Sequence, residues 1–156
     1  MKLRRASRWE IVRLRAIADY QFGLGAGECL VPDDAIVGVS PNTLRIREVY
    51  GGEGVLLATL RASDYFFSLS IEGAKRLLSC FPRPRLRVVV DPSRVPHKSV
   101  PTEAILDVDE ELRAGDEVIV VDLGDSLVGV GRLRLSPLEI KSGVRGEAVR
   151  LRKKVR

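Results

Sequence analysis

The stretch from Leu112 to Arg156 constrains the fold of this chain more than any other. It opens on a turn, Arg113-Ala114-Gly115-Asp116. Glu117 to Asp122 follows, apolar through its centre as a strand covered on both faces is. Leu123-Gly124-Asp125-Ser126 has hairpin chemistry. Leu127 to Leu135 returns as a second strand, in which Gly129 and Gly131 leave room for a bulge or a close backbone approach. Ser136-Pro137-Leu138-Glu139 is a compact helix start, with Ser as cap, Pro at the first helical position and Glu three after the cap. Gly143 and Gly146 keep that helix short, and a last strand, Glu147 to Leu151, runs into a basic tail, Arg150 to Arg156. Strand, hairpin, strand, capped short helix and strand build a small closed or nearly closed sheet plugged at one end, which removes exposed strand edges.

The upstream half has a different rhythm. Ala6 to Phe22 reads as a helix, with Trp9, Val12 or Leu14, Ala16, Ile17 and Tyr20 near one face. Gly23, Gly25 and Gly27 break it. A phosphate-binding loop follows a strand and opens a helix, whereas these glycines close one and no Lys-Ser or Lys-Thr comes after them. They are therefore expected to form a helix-to-strand turn. Short strands are predicted over 36–39, 44–50, 55–60 and 66–69, with Gly51-Gly52-Glu53-Gly54 as a hairpin turn. Ser70 caps a helix over 71–80 that Pro82 and Pro84 stop. The pattern is a meander covered by helices. Phe81-Pro82-Arg83-Pro84 is a stiff connector, which sets the expected domains at 1–84 and 85–156. The expected fold class is α+β in both. Strands over 85–90 and 102–108 begin the second domain, separated by a proline-rich loop.

Composition narrows the function classes. Apolar content of 45% in 156 residues suffices for a core, and aromatics at 5% make that core mainly Val, Leu and Ile. No apolar run approaches bilayer length, and the amino terminus lacks an apolar signal core, so a soluble, cytoplasmic protein is expected. Two separated cysteines and one histidine make no zinc box; no metal or cofactor is expected, and Cys29 and Cys80 are read as two buried thiols in preference to the alternative, one disulfide. One Asn, one Gln and 30% charged residues suit a thermophilic source. The net charge of +5 is unevenly placed: residues 1–15 and 145–156 each carry six basic residues and one acidic. Basic termini on a mildly acidic body suit an anionic partner, with nucleic acid the natural candidate, or simply solvated ends.

From Arg85 to Arg152 the chain resembles the PUA domain, the RNA-binding module named after pseudouridine synthases and archaeosine transglycosylases. The resemblance rests on Leu112-Arg113-Ala114-Gly115-Asp116-Glu117-Val118, Val128-Gly129-Val130-Gly131-Arg132, Leu135-Ser136 and Gly146-Glu147-Ala148-Val149-Arg150. The upstream half, through 11–23, 40–49, 58–64 and 72–77, is similar to the domain preceding the PUA module in archaeal tRNA-guanine transglycosylase of the archaeosine type. Arg83 to Val90 is similar to its junction with that module. The resemblance implies a PUA-type pseudo-barrel of mixed strands with a short capping helix, and binding to RNA, tRNA above all. It also implies that the base-exchanging TIM-barrel domain of that family has no counterpart in 156 residues. One departure is visible: the connection Asp91 to Pro96 is short and His97 stands where the family has glycine, so the short helix there is expected to be missing or reduced.

Lys98 and Ser99 sit where the family contacts RNA; a lysine neutralises a phosphate and a serine fixes register. Arg150, Arg152, Lys153, Lys154 and Arg156 form the densest basic run, with Arg150 and Arg152 on one face by strand alternation and Val149 and Leu151 inward. Arg132 and Arg134 alternate with Leu133 and Leu135 and fall on an outer face. Arg4, Arg5 and Arg8 extend this patch or flank a helix start. Asp107, Asp109, Glu110 and Glu111 read as a solvated turn rather than paired acid and base, and no catalytic constellation stands out. The expectation is a non-catalytic RNA-binding protein that partners a tRNA-guanine transglycosylase catalytic subunit. The alternative is an adaptor on the ribosome or an initiation complex, and a stand-alone modification enzyme ranks last.

Overall fold

The computed structural model describes residues 1–155 and divides into two compact units, Met1–Cys80 and Phe81–Arg156. In the first unit, β1 (Lys2–Arg5), β2 (Ile36–Val39), β3 (Ile46–Tyr50), β4 (Leu56–Leu60) and β5 (Phe67–Leu69) form an antiparallel sheet in sequence order. Three helices accompany it: α1 (Arg8–Phe22), α2 (Ala26–Leu30) and α3 (Ile71–Cys80). Ser7 caps α1 in a reciprocal capping box with Glu10. Ser70 caps α3, its hydroxyl accepting from the Gly73 N–H at 3.0 Å. The single glutamine closes one sheet edge. Gln21 on α1 accepts from the Phe67 N–H at 2.7 Å and donates to the Phe67 carbonyl at 2.9 Å, imitating a missing strand.

Several features of this unit differ from the expectation, the first being strand β1, where the sequence pattern predicts none. The glycine run does not lead into a strand: Gly25 and Gly27 open α2, and the Gly27 N–H donates to Asp19 Oδ1 at 2.7 Å. A β-carbon at Gly27 would lie 2.4 Å from the Arg15 carbonyl oxygen, so the glycine permits two helices to cross closely. The apolar face of α1 is also reassigned. Leu14, Ala18 and Phe22, spaced by four, are the buried stripe, while Trp9 (77% exposed), Val12, Ala16 and Tyr20 (82%) face solvent. Ala18 at the centre of the narrow stripe brings the helix close, which turns the bulkier face outward.

The second unit is a six-stranded mixed sheet. Its strands are β6 (Arg87–Val90), β7 (Ser99–Pro101), β8 (Ile105–Val108), β9 (Glu117–Val121), β10 (Leu127–Leu133) and β11 (Glu147–Lys154), in spatial order β7-β11-β10-β9-β6-β8. Among the described residues only β6 and β9 pair in parallel. The edge strands β7 and β8 are joined by one 3₁₀ turn, Thr102–Ala104. A flat six-stranded sheet would place its edges about 24 Å apart, whereas three residues span about 10 Å. The sheet must therefore curl back on itself, and it forms the expected pseudo-barrel with two edges left unpaired to each other. Helix α4 (Pro137–Lys141) starts with the expected capping box of Ser136 and Glu139. The core is Val-rich, including Val88, Val90, Val118, Val120, Leu133, Val149 and Leu151. Each such side chain contributes about 1.5–3 kcal/mol on burial. After β6 the helix of the family pattern is reduced to one 3₁₀ turn, Pro92–Arg94.

Two acidic residues of the second unit, Asp109 of the turn expected to be solvated and Asp125 of the expected hairpin, are structural. Asp109 is buried and accepts from the Leu86 N–H at 2.8 Å and the Glu111 N–H at 3.0 Å, so the 107–111 turn is not wholly solvated. Asp125, in the β9–β10 hairpin at φ 65°, holds the Arg87 guanidinium through bonds of 2.8 and 3.1 Å. Arg87 is 2% exposed. The cysteines are likewise not buried thiols. Cys29, half-buried on α2, is disulfide-bonded to Cys80, exposed at the end of α3, because those two helices pack together.

Reduction of Cys29–Cys80, whose partners are 51 residues apart, is expected to destabilise the protein by about 2–4 kcal/mol. Urea unfolding with and without reductant measures it, and the Cys29→Ser/Cys80→Ser variant should match the reduced protein. The hydrogen bonds from Arg87 hold the Asp125 carboxyl below the usual carboxylate range. A depressed native value stabilises the fold above the unfolded aspartate value of about 4, and that stability is lost as pH falls through the native value. Asp125→Asn, which tolerates the same left-handed backbone, is expected to cost about 3–5 kcal/mol at neutral pH. The gap from the unsubstituted protein should close in acid.

Candidate nucleic-acid interface

A row of side chains crosses four strands of the second unit. Ser99 on β7 is in register with Arg150 on β11, Arg150 with Arg132 on β10, and Arg132 with Glu117 on β9. Residues directly opposite in a ladder share a face, so this row is a continuous polar strip. Arg132 and Arg150 are exposed, and Ser99 is half-buried. Glu117 is the buried end, with a side chain 0% exposed. Lys98 is exposed just before β7, and its carbonyl extends the ladder by accepting from the Leu151 N–H at 2.7 Å.

The packing of β11 on β10 fixes how the later basic residues point. A β-carbon at Gly131 would meet the Arg150 carbonyl oxygen at 2.0 Å, and one at Gly129 would meet that of Lys153 at 2.5 Å. Gly131 pairs with Leu151 and Val130 with Lys153, so Arg152 is the extra residue of a β-bulge. Val130 and Arg132 are two apart on one strand and share a face. Lys153 therefore joins Arg150 on the polar side, a placement that unbroken alternation from Arg150 does not give. Arg152 bonds Glu117, with Nη1 donating to Oε1 at 3.0 Å and a second, shorter contact between Nη2 and Oε2. Lys154 donates its ammonium to the Val95 carbonyl.

The residues expected to contact RNA, Lys98, Ser99, Arg132, Arg150, Arg152, Lys153 and Lys154, thus divide by partner. Lys98, Arg132, Arg150 and Lys153 are exposed. Arg132 donates Nε and Nη2 to the Gly115 carbonyl at 3.2 and 3.1 Å, which holds its side chain over the preceding turn. Arg150 makes a long contact, 3.4 Å, to Glu147, whose carboxylate also accepts from the Ser99 hydroxyl at 2.6 Å. Ser99, Arg152 and Lys154 are committed to internal partners. Arg134 is exposed beside Arg132, and His97 is exposed beside Lys98. Arg156 lies outside the described residues. Glu117 was missed as a member of this strip, although an acidic residue opening a wholly apolar strand is a readable sign of a buried ion pair. Arg4 belongs to the first unit, tied to Glu10 by bonds of 2.7 and 2.8 Å; those bonds hold the Glu10 carboxyl down at about 2. Among the described residues no cluster of three or more metal-ligating side chains occurs, and no helix is long and apolar enough to cross a membrane.

Residues 12–84 match the family described as the patch-forming domain C2 of tRNA-guanine transglycosylase, and residues 87–155 match the PUA domain. The tRNA-guanine(15) transglycosylase of Methanobrevibacter smithii is 40% identical over 148 residues, and that of Thermococcus kodakarensis 42% over 144. These alignments take in 92% and 90% of this chain but 22% and 24% of those proteins. Among solved structures, a hypothetical protein from the hyperthermophilic archaeon Pyrococcus horikoshii superposes with a TM-score of 0.76 at 21% identity, covering 99% of this chain and 95% of that one. A conserved PUA domain protein from Thermoplasma acidophilum gives 0.67 at 18%, covering 98% and 93%. The fold is therefore shared by chains of similar extent, and the sequence by the carboxyl-terminal region of a longer enzyme. The chain thus carries a C2 domain followed by a PUA domain, and in sequence it corresponds to the carboxyl-terminal region of archaeal tRNA-guanine transglycosylases.

Proposed function

We propose that the chain is a non-catalytic RNA-binding protein that recognises structured tRNA and serves a separate tRNA-guanine transglycosylase catalytic subunit. The observation that carries this reading is the match of residues 87–155 to the PUA domain, together with 40% identity over 148 residues to a tRNA-guanine(15) transglycosylase. The domains proposed are 1–84 and 85–156, with RNA held by the second. Lys98, Arg132, Arg150 and Lys153 neutralise phosphates, while Ser99, Arg152 and Lys154 keep β7 and β11 in place beneath them. Arg132 and Arg150 sit side by side on adjacent strands; Glu117, beside the first, is bonded by Arg152, and Glu147 lies near the second. Two guanidinium groups so placed lack full internal neutralisation and suit a polyanion. Phosphate contacts fix position and carry no sequence code, so recognition of a folded tRNA rests on the spacing of its backbone.

Filter binding is expected to show tRNA held more tightly than duplex DNA of equal length; equal affinity contradicts the proposal. Affinity should fall with salt at a log–log slope of about −0.7 to −0.9 for each phosphate contact, and the Arg132→Ala/Arg150→Ala/Lys153→Ala variant should flatten that slope by about two units or more. Arg152→Ala is expected to behave differently. It strands a buried Glu117, so urea unfolding should register a loss of about 3–5 kcal/mol, whereas Arg150→Ala should stay within about 0.5 kcal/mol of the starting protein.

A further inference from the structure

The first unit carries a second feature suited to RNA, at the end of its sheet where the β2–β3 and β4–β5 hairpins lie. Both hairpins close in the same way. Leu44 N–H donates to the Ser40 carbonyl at 2.8 Å, and Tyr65 N–H to the Arg61 carbonyl at 3.0 Å. The next-to-last loop residue of each, Leu44 and Tyr65, stands at φ 60°. Glycine or asparagine is the ordinary occupant of that left-handed position, and leucine and tyrosine are disfavoured there. Neither is repaid by burial: Leu44 is 78% and Tyr65 37% exposed. Two large side chains held out at disfavoured positions on neighbouring loops indicate a surface kept for contact.

Between these loops and α1 runs a cleft of about 490 Å³, within the range of about 300–1,000 Å³ found for small-ligand sites. Leu14, Ile17 and Ile46 are among its apolar lining residues, Tyr65 is on one wall, and Arg13 and Arg45 contribute guanidinium groups. Arg45 lies over the Tyr65 ring at 5.1 Å, and neither arginine has a carboxylate partner among the described residues. Glu10 also lines the cleft, but Arg4 and the Ser7 N–H already occupy its oxygens. A second hollow, of about 370 Å³, shares Leu60 with the first and is lined by Arg47, Glu48, Thr59 and Arg61. Arg61 Nε donates to Asp64 Oδ1 at 3.1 Å, while Arg61 Nη1 and Arg47 Nε are buried with no hydrogen-bond partner. Buried guanidinium N–H groups are costly without an acceptor, and an anionic oxygen supplies one.

We infer that this hairpin end of the first unit binds one unstacked nucleotide of an RNA strand, with the base in the α1 cleft against Tyr65 and a flanking phosphate on Arg47 and Arg61. A flat apolar ring joined to an anion matches an apolar slot with an aromatic wall, free guanidinium groups at its rim and an unfilled pair of donors beside it. A protein segment would leave those donors unmatched unless it carried its own anion. The site is separate from the strip on the second unit, and the inference rests on reading the chain as an RNA-binding protein.

The test uses the full chain, a single-stranded oligoribonucleotide of about ten residues carrying one 2-aminopurine, and a tRNA. The base fluorescence should be quenched on binding. Tyr65→Asn relaxes the backbone and should leave the melting temperature unchanged or raised. It is expected to abolish the quench and weaken oligonucleotide binding by at least about fivefold. Arg47→Gln/Arg61→Gln should weaken binding while keeping the quench, and Arg132→Ala/Arg150→Ala should weaken tRNA binding and keep the quench. Tyr65→Asn with an unchanged quench overturns the inference, as does tRNA binding with no quench of the oligonucleotide. Capture of a transglycosylase catalytic chain through this face, lost in Tyr65→Asn without any quench in the original protein, also overturns it. Failure to bind any RNA removes the proposed function as well.

Discussion

The backbone of β11 passes β10 at a point where no side chain can stand between them, and the second unit is arranged around that passage. The Arg150 carbonyl oxygen lies 2.0 Å from where a β-carbon on residue 131 would be. Alanine there requires the strands to separate, at about 1–3 kcal/mol for overpacking. The close approach goes with the bulge at Arg152, which lets β11 carry Arg150, Arg152 and Lys153 to one side of the sheet. The buried Glu117 then takes Arg152, so the bulge is held from both ends: by contact at Gly131 and by charge at Glu117. The exposed cations inherit a fixed spacing from a constraint that has nothing to do with RNA.

Curling is the second consequence of chain geometry. Because β7 and β8 are adjacent in sequence and lie at opposite edges of the sheet, one 3₁₀ turn draws the edges toward each other. This turns Val88, Val100, Val118, Val149 and their neighbours into a single enclosed core despite the scarcity of aromatic residues. The sheet of the first unit has no such link between its edges. It relies on α1, with Gln21 bonded to both backbone groups of Phe67, and on the Cys29–Cys80 bridge between α2 and α3.

Much of this was legible in the sequence because the signals were local. Ser136-Pro137-Leu138-Glu139 specified α4 and its cap through short-range hydrogen bonds, and the unbroken apolar run after Glu117 specified a strand buried at every position. Gly129 and Gly131 announced a close approach without naming what approached. The misreadings came where a distant partner decided the outcome. The exposed face of α1 has as many apolar residues as the buried one, and only packing chooses between them. Asp109 and Asp125 look like ordinary turn carboxylates until the Leu86 backbone and the Arg87 guanidinium reach them from more than twenty residues away. The basic run 150–154 read as a tail, but β11 extends through it, because β10 has backbone groups to pair there. The candidate strip was legible as residue types but not as a division of labour. Nothing in Arg152 itself says that it serves Glu117, and nothing in Arg150 that it stays outside.

The charges of the second unit thus fall into those that hold the fold and those left facing solvent. The first group includes Arg87, Arg152 and Lys154, each with an internal acceptor. The second is led by Arg132, Arg150, Lys98 and Lys153, gathered around the β7–β11–β10 face. The central claim is that this second group is where RNA lies. Photo-crosslinking of the chain to bound tRNA, followed by mass spectrometry of the nucleotide-bearing peptides, tests it most directly. Adducts concentrated within 97–99, 132–134 and 150–153 are the result this account predicts. Adducts absent from all three segments, while tRNA is demonstrably bound, would contradict it.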